Sequence, residues 1–144
     1  LLQLRKAAGD QIGCNFDPSH FWWQGIDPLA AVRALGEAGA IFHVHAKDTR
    51  IDPQNSAVNG NLDTKSYGDI LHRSWVFRSV GYGHTQAWWK DFCSVLRMIG
   101  YDHILSIEHE DGLMSTTEGL KKAMEILQDS VLTETPGEMF WAKD

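Results

Sequence analysis

The chain has 144 residues, 43% of them hydrophobic, which suffices to build the core of one globular domain. The formal net charge is -6, and no run of Lys or Arg offers a basic surface, so DNA or RNA is not expected as a partner. No apolar stretch reaches the ~20 residues of a membrane-spanning helix, and neither Cys14 nor Cys93 lies in a Cys-x-x-Cys pattern, which together favour a protein of the reducing cytoplasm.

The first of three strand-and-helix patterns lies near the N-terminus. An apolar run over residues 12–17 predicts a strand. Asp27, a preferred N-cap residue, and Pro28, at the first helical position, predict a helix that continues to about Ala38. The intervening residues, which include three consecutive aromatic residues from Phe21, are predicted to form a loop.

The second pattern has a long insertion between its strand and its helix. Residues 41–48 predict the strand, and residues 50–83, which contain Asn, Asp and Gly, predict an irregular segment. Apolar residues at i, i+4 and i+7 then predict a helix over residues 86–99, which Gly100 ends as a C-cap residue.

The third pattern begins with a predicted strand over residues 104–110. A capping box from Ser115 to Glu118 then opens the last helix. Its predicted core face consists of five apolar residues: Leu120, Ala123, Met124, Leu127 and Val131.

Strands separated by helices predict a parallel sheet, and each of these strands alternates apolar with polar residues. The polar residues are Asn15 and Asp17, then His43, His45 and Lys47, then Ser106, Glu108 and Glu110. The apolar residues are Ile12, Cys14 and Phe16, then Phe42, Val44 and Ala46, then Leu105 and Ile107. A polar face toward the C-terminal strand ends is typical of the active site of a (β/α) barrel or an open α/β sheet.

Three strands are too few to close a barrel, which needs eight. The chain also opens on Leu1, without a methionine, in a helical pattern already under way. We therefore expect residues 1–144 to form a single partial domain of the α/β class. It would be the C-terminal portion of a (β/α)8 TIM barrel, with about three βα units and the N-terminal strands missing.

Asp17, His45 and Glu108 occupy equivalent places near the ends of the three predicted strands. Their oxygen and nitrogen atoms suit a divalent ion such as Mn, Mg, Co or Zn. Each residue alone has another interpretation: Asp17 could cap the turn at Pro18, His45 could be a hydrogen-bonded core histidine, and Glu108 could pair with Lys47. A shared site explains all three positions at once, so we expect these side chains to converge within reach of one ion.

Three motifs carry a resemblance to a known family: Asp17-Pro18-Ser19-His20, His43-Val44-His45 and Ser106-Ile107-Glu108-His109-Glu110. In this order and spacing, they resemble the xylose-isomerase-like sugar isomerases and epimerases, including the ketose 3-epimerases, over residues 12–127. The resemblance implies that Asp17, His45 and Glu108 bind a divalent ion, with Mn preferred over Mg, Co or Zn. It also implies that His20 contacts substrate hydroxyl groups and that a further glutamate ligand lies on a preceding strand.

The implied activity is that of a metal-dependent isomerase or epimerase acting on a sugar or sugar phosphate. Proton transfer would pass through an enediolate stabilised by the metal, with Glu108 and His20 as the catalytic residues. The Lys47-Asp48 pair resembles a different branch of the superfamily, the broad group of sugar phosphate isomerases or epimerases. This branch is also similar to metal-dependent lyases acting on 3-keto glycosides, and such a lyase is the alternative. An endonuclease IV-like phosphodiesterase and a non-catalytic binding module are weaker hypotheses, and this chain alone is expected to be inactive.

The candidates for substrate binding are His20, Trp22, Lys47, Arg50 and Arg78. Trp22, on the predicted loop, either stacks on a sugar face or packs against the protein. Arg50 comes five residues after His45, whereas the family places an arginine at six, so its role stays open. Arg78 could close over the substrate from the long segment, or it could be solvated. The expected partner is a small sugar or sugar derivative, and homo-oligomerisation stays open.

Overall fold

The computed structural model describes residues 1–142, which fold into helices and short strands. The helices are α1 (Leu2–Ala8), α2 (Ser19–Trp23), α3 (Pro28–Glu37), α4 (Pro53–Asn59), α5 (Gln86–Met98) and α6 (Thr116–Ser130). The strands are β1 (Cys14–Phe16), β2 (Ile41–Ala46), β3 (Asp48–Ile51), β4 (Trp75–Arg78) and β5 (Leu105–Ile107). Within residues 1–142, every helix is too short or too polar to cross a membrane.

The three strands predicted from the sequence form one parallel sheet in the order β1-β2-β5. Val44 of β2 lies beside Phe16 on one side and Leu105 on the other, and His45 lies beside Ser106. Because all three strands run in one direction, their C-terminal ends meet at one edge of the sheet. The prediction of a parallel, unclosed sheet is thereby confirmed.

Local signals start and end the helices where the sequence places them. The Asp27 carboxylate accepts a hydrogen bond from the backbone N–H of Leu29 at 2.8 Å and caps α3. The Ser115 hydroxyl accepts one from the N–H of Glu118 at 3.2 Å and caps α6. Gly100 follows the end of α5 with φ +74°, a conformation in which a residue with a side chain would be strained.

The hydrophobic core lies between the sheet and the helices α3, α5 and α6. Its largest fully buried members are Phe16, Trp89 and Phe92, which pack with Val32, Val44, Ala46, Val80 and Ala123. Phe16 stacks on Phe92, with ring centroids 6.0 Å apart. Since Phe16 and Val44 belong to the apolar face of the strands, the alternating pattern places Asp17 and His45 on the opposite side from the core.

Two predictions about buried faces are corrected. Phe42 was expected among the core residues, but its side chain is 49% exposed, and Ile41 is buried instead. The register of β1 with β2 shifts between Cys14 and Asn15, so the alternation slips by one residue at this end of β2.

The second correction concerns α6, where Ala123 and Leu127 are buried as predicted, but three other residues are more than a third exposed: Leu120, Met124 and Val131. The buried face instead includes Gly119 and Ser130. A side-chain atom on Gly119 would collide with the His109 ring, so the missing side chain lets α6 pack directly on that ring.

Two segments expected to be irregular contain regular structure. Residues 50–83 include α4 and the strand β4, which pairs antiparallel with β3 and brings Phe77 opposite Thr49. The three aromatic residues from Phe21 belong to the short helix α2 and not to a loop. The antiparallel pair of β3 and β4 begins directly after β2 and lies beside the C-terminal end of the sheet. We call this pair the wall of the site.

Candidate metal centre

The three predicted ligands converge at the C-terminal edge of the parallel sheet. Asp17 directly follows β1, His45 is the penultimate residue of β2, and Glu108 directly follows β5. Each offers one ligand atom, and these atoms all lie within 4.8 Å of one another. The expected convergence is therefore observed. Two carboxylates and an imidazole form a donor set that fits a divalent ion such as Mn or Zn.

His45 and Glu108 contact each other, and this contact fixes the orientation of both side chains. The Nδ1 atom of His45 lies 2.5 Å from Oε2 of Glu108. The other ring nitrogen, Nε2, lies 3.3 Å from the side-chain amide of Asn15, which belongs to the polar face of β1. These two contacts hold the plane of the imidazole. A metal-bound histidine uses one ring nitrogen for the ion, so an ion would replace one of the two contacts and the other would orient the ring.

Asp17 is held by the start of α2. Its Oδ1 atom accepts a hydrogen bond from the backbone N–H of Ser19 at 2.9 Å, and its side chain is 10% exposed. The Oδ2 atom points to the other polar groups of the site and lies 3.4 Å from Nε2 of His20. His20 is 47% exposed and contacts the Phe77 ring edge-on at 5.3 Å, so it borders both the ligand cluster and solvent.

Lys47 lies among the carboxylates with only 2% of its side chain exposed. Its Nζ atom is 3.2 Å from Asp17, 3.1 Å from Glu108 and 2.8 Å from Glu110. Burial alone would lower the pKa of Lys47, but the hydrogen bonds to Glu110 and Glu108 and the charge of Asp17 outweigh it and raise the pKa. The ammonium therefore keeps its charge, although it is buried.

Three of the predicted substrate-binding residues lie on α2, β3 and β4. Trp22 stacks on the His84 ring at 3.9 Å, which resembles the packing role more than the sugar-stacking one. Arg50 lies exposed on β3. Arg78 pairs with the fully buried carboxylate of Asp111 at 2.9 Å. Roles for these three residues in substrate binding remain predictions.

Two cavities differ in their relation to the ligand cluster. A cavity of about 110 Å³ lies between Phe77, Arg78 and Glu110, beside the ion pair of Lys47. A larger one, of about 540 Å³, lies near Tyr101 and Leu132. None of the three ligands lines either cavity. The smaller cavity adjoins the cluster through Glu110, which pairs with Lys47, whereas no residue of the cluster lines the larger one.

Sequence reasoning missed the role of Asp48, a fully buried carboxylate at the start of β3. Six N–H groups point at its two oxygens, and they belong to the backbone of Thr49, Gly81, Gly83 and His84 and to the side chains of His84 and Trp89. This carboxylate ties the turn after β4 to the end of β2. Two features of the sequence could have indicated this role. An acidic residue, Asp48, ends the predicted second strand, and a Gly-Tyr-Gly turn, whose backbone N–H groups it binds, begins 33 residues later.

Comparison with known proteins agrees with the fold and the motifs. The family model described as a xylose isomerase-like TIM barrel matches residues 1–130. The chain belongs to this family. The resemblance proposed from the three motifs is thereby confirmed at the level of the family.

Two curated proteins and one crystal structure are also similar to this chain. The chain is 46% identical over 131 residues to the "Uncharacterized protein YfiH" of Bacillus subtilis (strain 168), covering 91% of this chain and 41% of that protein. It is 32% identical over 111 residues to the "Rhizopine catabolism protein MocC" of Rhizobium meliloti, covering 75% of this chain and 31% of that protein. This chain therefore spans at most about two fifths of the length of these relatives.

The crystal structure of a xylose isomerase domain protein from Planctomyces limnophilus superposes with a TM-score of 0.64 over 89% of this chain and 41% of that one. At 24% identity, this likeness supports the fold alone. The xylose isomerase-like family includes sugar isomerases and epimerases.

Proposed function

We propose that Asp17, His45 and Glu108 bind a divalent metal ion in an isomerase or epimerase that acts on a sugar or sugar phosphate. The observation that supports this most is the convergence of the three donor atoms within 4.8 Å at the C-terminal edge of the sheet. In barrels of this type, that edge carries the reaction site. Mn is the ion that we expect from the family resemblance, and a mixed carboxylate and imidazole set accommodates it.

The side chains around the cluster suit proton transfer next to a carbonyl group. A bound divalent ion would supply positive charge that stabilises a developing oxyanion and acidifies the neighbouring C–H bond. Glu108 is 36% exposed and is the ligand carboxylate most open to a substrate, so we assign it the role of proton acceptor and donor. His20, 47% exposed and next to Asp17, would donate a hydrogen bond to a substrate hydroxyl group.

Membership of the xylose isomerase-like family supports a small sugar as the substrate without identifying it. The name of the relative MocC refers to the catabolism of a rhizopine, and that name concerns MocC alone. The acidic balance of the chain, -6, weighs against a phosphodiesterase that binds nucleic acid. We therefore keep a sugar or sugar phosphate as the proposed substrate class.

The test uses the full-length protein. Metal content is measured by mass spectrometry, and a panel of ketoses, aldoses and their phosphates is incubated in D2O and followed by NMR. We expect about one divalent ion per protein chain. We also expect deuterium to be incorporated at the carbon beside the carbonyl group of the substrate. Glu108→Gln should abolish this exchange, while Glu125→Gln, on the exposed face of α6, should leave it unchanged.

Two outcomes would contradict the proposal. One is a protein without stoichiometric divalent metal, and the other is full activity of Glu108→Gln. A 3-keto glycoside added to the same NMR panel tests the lyase alternative, because its β-elimination releases the aglycone and leaves an unsaturated ketone. Formation of that product in place of an isomer or epimer would assign the lyase activity.

A further inference from the structure

The ammonium group of Lys47 is enclosed by groups of the protein itself. An ammonium has three N–H donors, and one carboxylate oxygen lies within 3.2 Å for each of them, from Asp17, Glu108 and Glu110. The ring centroid of Phe77 lies 4.4 Å from Nζ on a further side, a cation–π distance. A substrate hydroxyl group would have to displace one of these contacts, so a role for Lys47 within the cluster fits better than one in substrate binding.

Building on the proposed metal site, we infer that Lys47 is a positioning residue that sets the charge of the ligand cluster and thereby its preference for divalent over trivalent ions. Asp17, Glu108 and Glu110 contribute three negative charges and Lys47 one positive charge, which leaves -2 with the histidines counted as neutral. A divalent ion brings the net charge of this set to zero, whereas a trivalent ion leaves one positive charge in excess. A further carboxylate from elsewhere in the protein would change the total, but not the one unit by which Lys47 reduces it.

The charge of Lys47 acts on ions in proportion to their own charge. Its repulsion of a trivalent ion is therefore one and a half times its repulsion of a divalent ion at the same place. At an effective dielectric constant of about 20, one extra unit charge a few ångströms away changes an equilibrium by more than about tenfold. If Lys47 mattered only as a packing group, its loss would instead weaken the binding of both ions by the same factor. The ratio of the affinities for a trivalent and a divalent ion therefore distinguishes the effect of the Lys47 charge from the effect of its shape.

The experiment measures the dissociation constants of Mn²⁺ and of Lu³⁺, which is close to Mn²⁺ in radius, by calorimetry on the full-length protein. The test variant is Lys47→Met, which keeps the length of the side chain and removes the charge. Lys47→Arg keeps the charge. Lys90→Met removes a lysine from a surface pair with Asp129 and is the matched control. We expect Lys47→Met to shift the ratio about tenfold or more toward Lu³⁺, and the other two variants to retain the wild-type ratio.

An unchanged ratio in Lys47→Met, or an equal shift in Lys47→Arg, would overturn the charge-setting role. If Lys47→Met does not fold, Lys47→Gln decides, because its amide can still donate hydrogen bonds to the surrounding carboxylates but carries no charge. The ratio should then shift by a similar factor toward Lu³⁺, and an unchanged ratio would again refute the inference. A wild-type protein that binds no Mn²⁺ would instead refute the metal site itself, so the two failures are distinguishable.

Discussion

The buried carboxylate of Asp48 holds the wall of the candidate site in place, and Asp48→Asn should therefore destabilise the protein strongly. One oxygen of the carboxylate faces the backbone N–H of Thr49 and the ring of His84, and the other faces four further N–H groups. An amide has only one oxygen. Whichever way Asn is oriented, its NH2 group faces at least one backbone N–H donor, which is left buried without an acceptor.

The expected cost follows from these contacts. One buried unsatisfied donor costs about 1–3 kcal/mol, and each remaining hydrogen bond loses the extra strength that a charged acceptor provides, about 1 kcal/mol. Allowing for relaxation, we expect Asp48→Asn to lower the free energy of unfolding by about 4 kcal/mol. For a domain of this size or larger, that corresponds to a decrease in Tm of about 10 °C.

The assay is thermal and urea unfolding of the full-length protein, followed by circular dichroism. Asp129→Asn is the control, because that carboxylate is 60% exposed and pairs only with groups at the surface. It should change Tm by less than about 2 °C. If Asp48→Asn left Tm within that same range, the reasoning that Asp48 ties the turn after β4 to the end of β2 would be refuted.

Three further predictions concern stability and reactivity. Gly83→Ala should lower the free energy of unfolding by about 2 kcal/mol in urea titrations, because its Cβ would lie 2.5 Å from the Asp48 carboxylate. Gly137→Ala, where a Cβ meets nothing within 4 Å, should be neutral, and equal effects would contradict this. Although burial would raise the pKa of Asp111, hydrogen bonds from Ser79 and Arg78 lower it below the unfolded value of about 3.9, so Asp111 stabilises the fold above that pH and this contribution is lost as pH falls. The Tm deficit of Asp111→Asn should thus shrink below about pH 4, and a deficit constant with pH would contradict the assignment. Burial raises the pKa of Cys93 to about 11, so only about one Cys93 thiol in a thousand is ionised at pH 8. Labelling of Cys93 by iodoacetamide, followed by peptide mass spectrometry, should be negligible until the protein is unfolded, and rapid labelling of Cys93 in the native protein would contradict this.

Much of the fold was predictable because its signals are local. Asp27, Ser115 and Gly100 mark helix ends through contacts with residues three or fewer positions away, or through their own backbone conformation. The polar alternation that selected Asp17 and His45 needs only the two-residue period of a strand. For the same reason, the candidate ligands could be chosen before their positions in space were known.

Other features could not be predicted because they depend on contacts between distant residues. The slip that exposes Phe42 comes from pairing with β1, and the exposure of Leu120 comes from the close approach of α6 to His109 at Gly119. The pairing of β3 with β4 was not predicted because each strand has only four residues, too few to show a clear two-residue alternation of apolar and polar side chains.

The sequence by itself determined the parallel α/β class, the three candidate ligands and the family to which they point, since periodicity, capping and motif order are written along the chain. Only the tertiary structure decided what surrounds those ligands. Lys47 could have been a substrate-binding residue or a partner of Glu108 from its place in the sequence. Its burial among three carboxylates arises because Asp17, Glu108 and Glu110, 30 or more positions away along the chain, meet at one edge of the sheet.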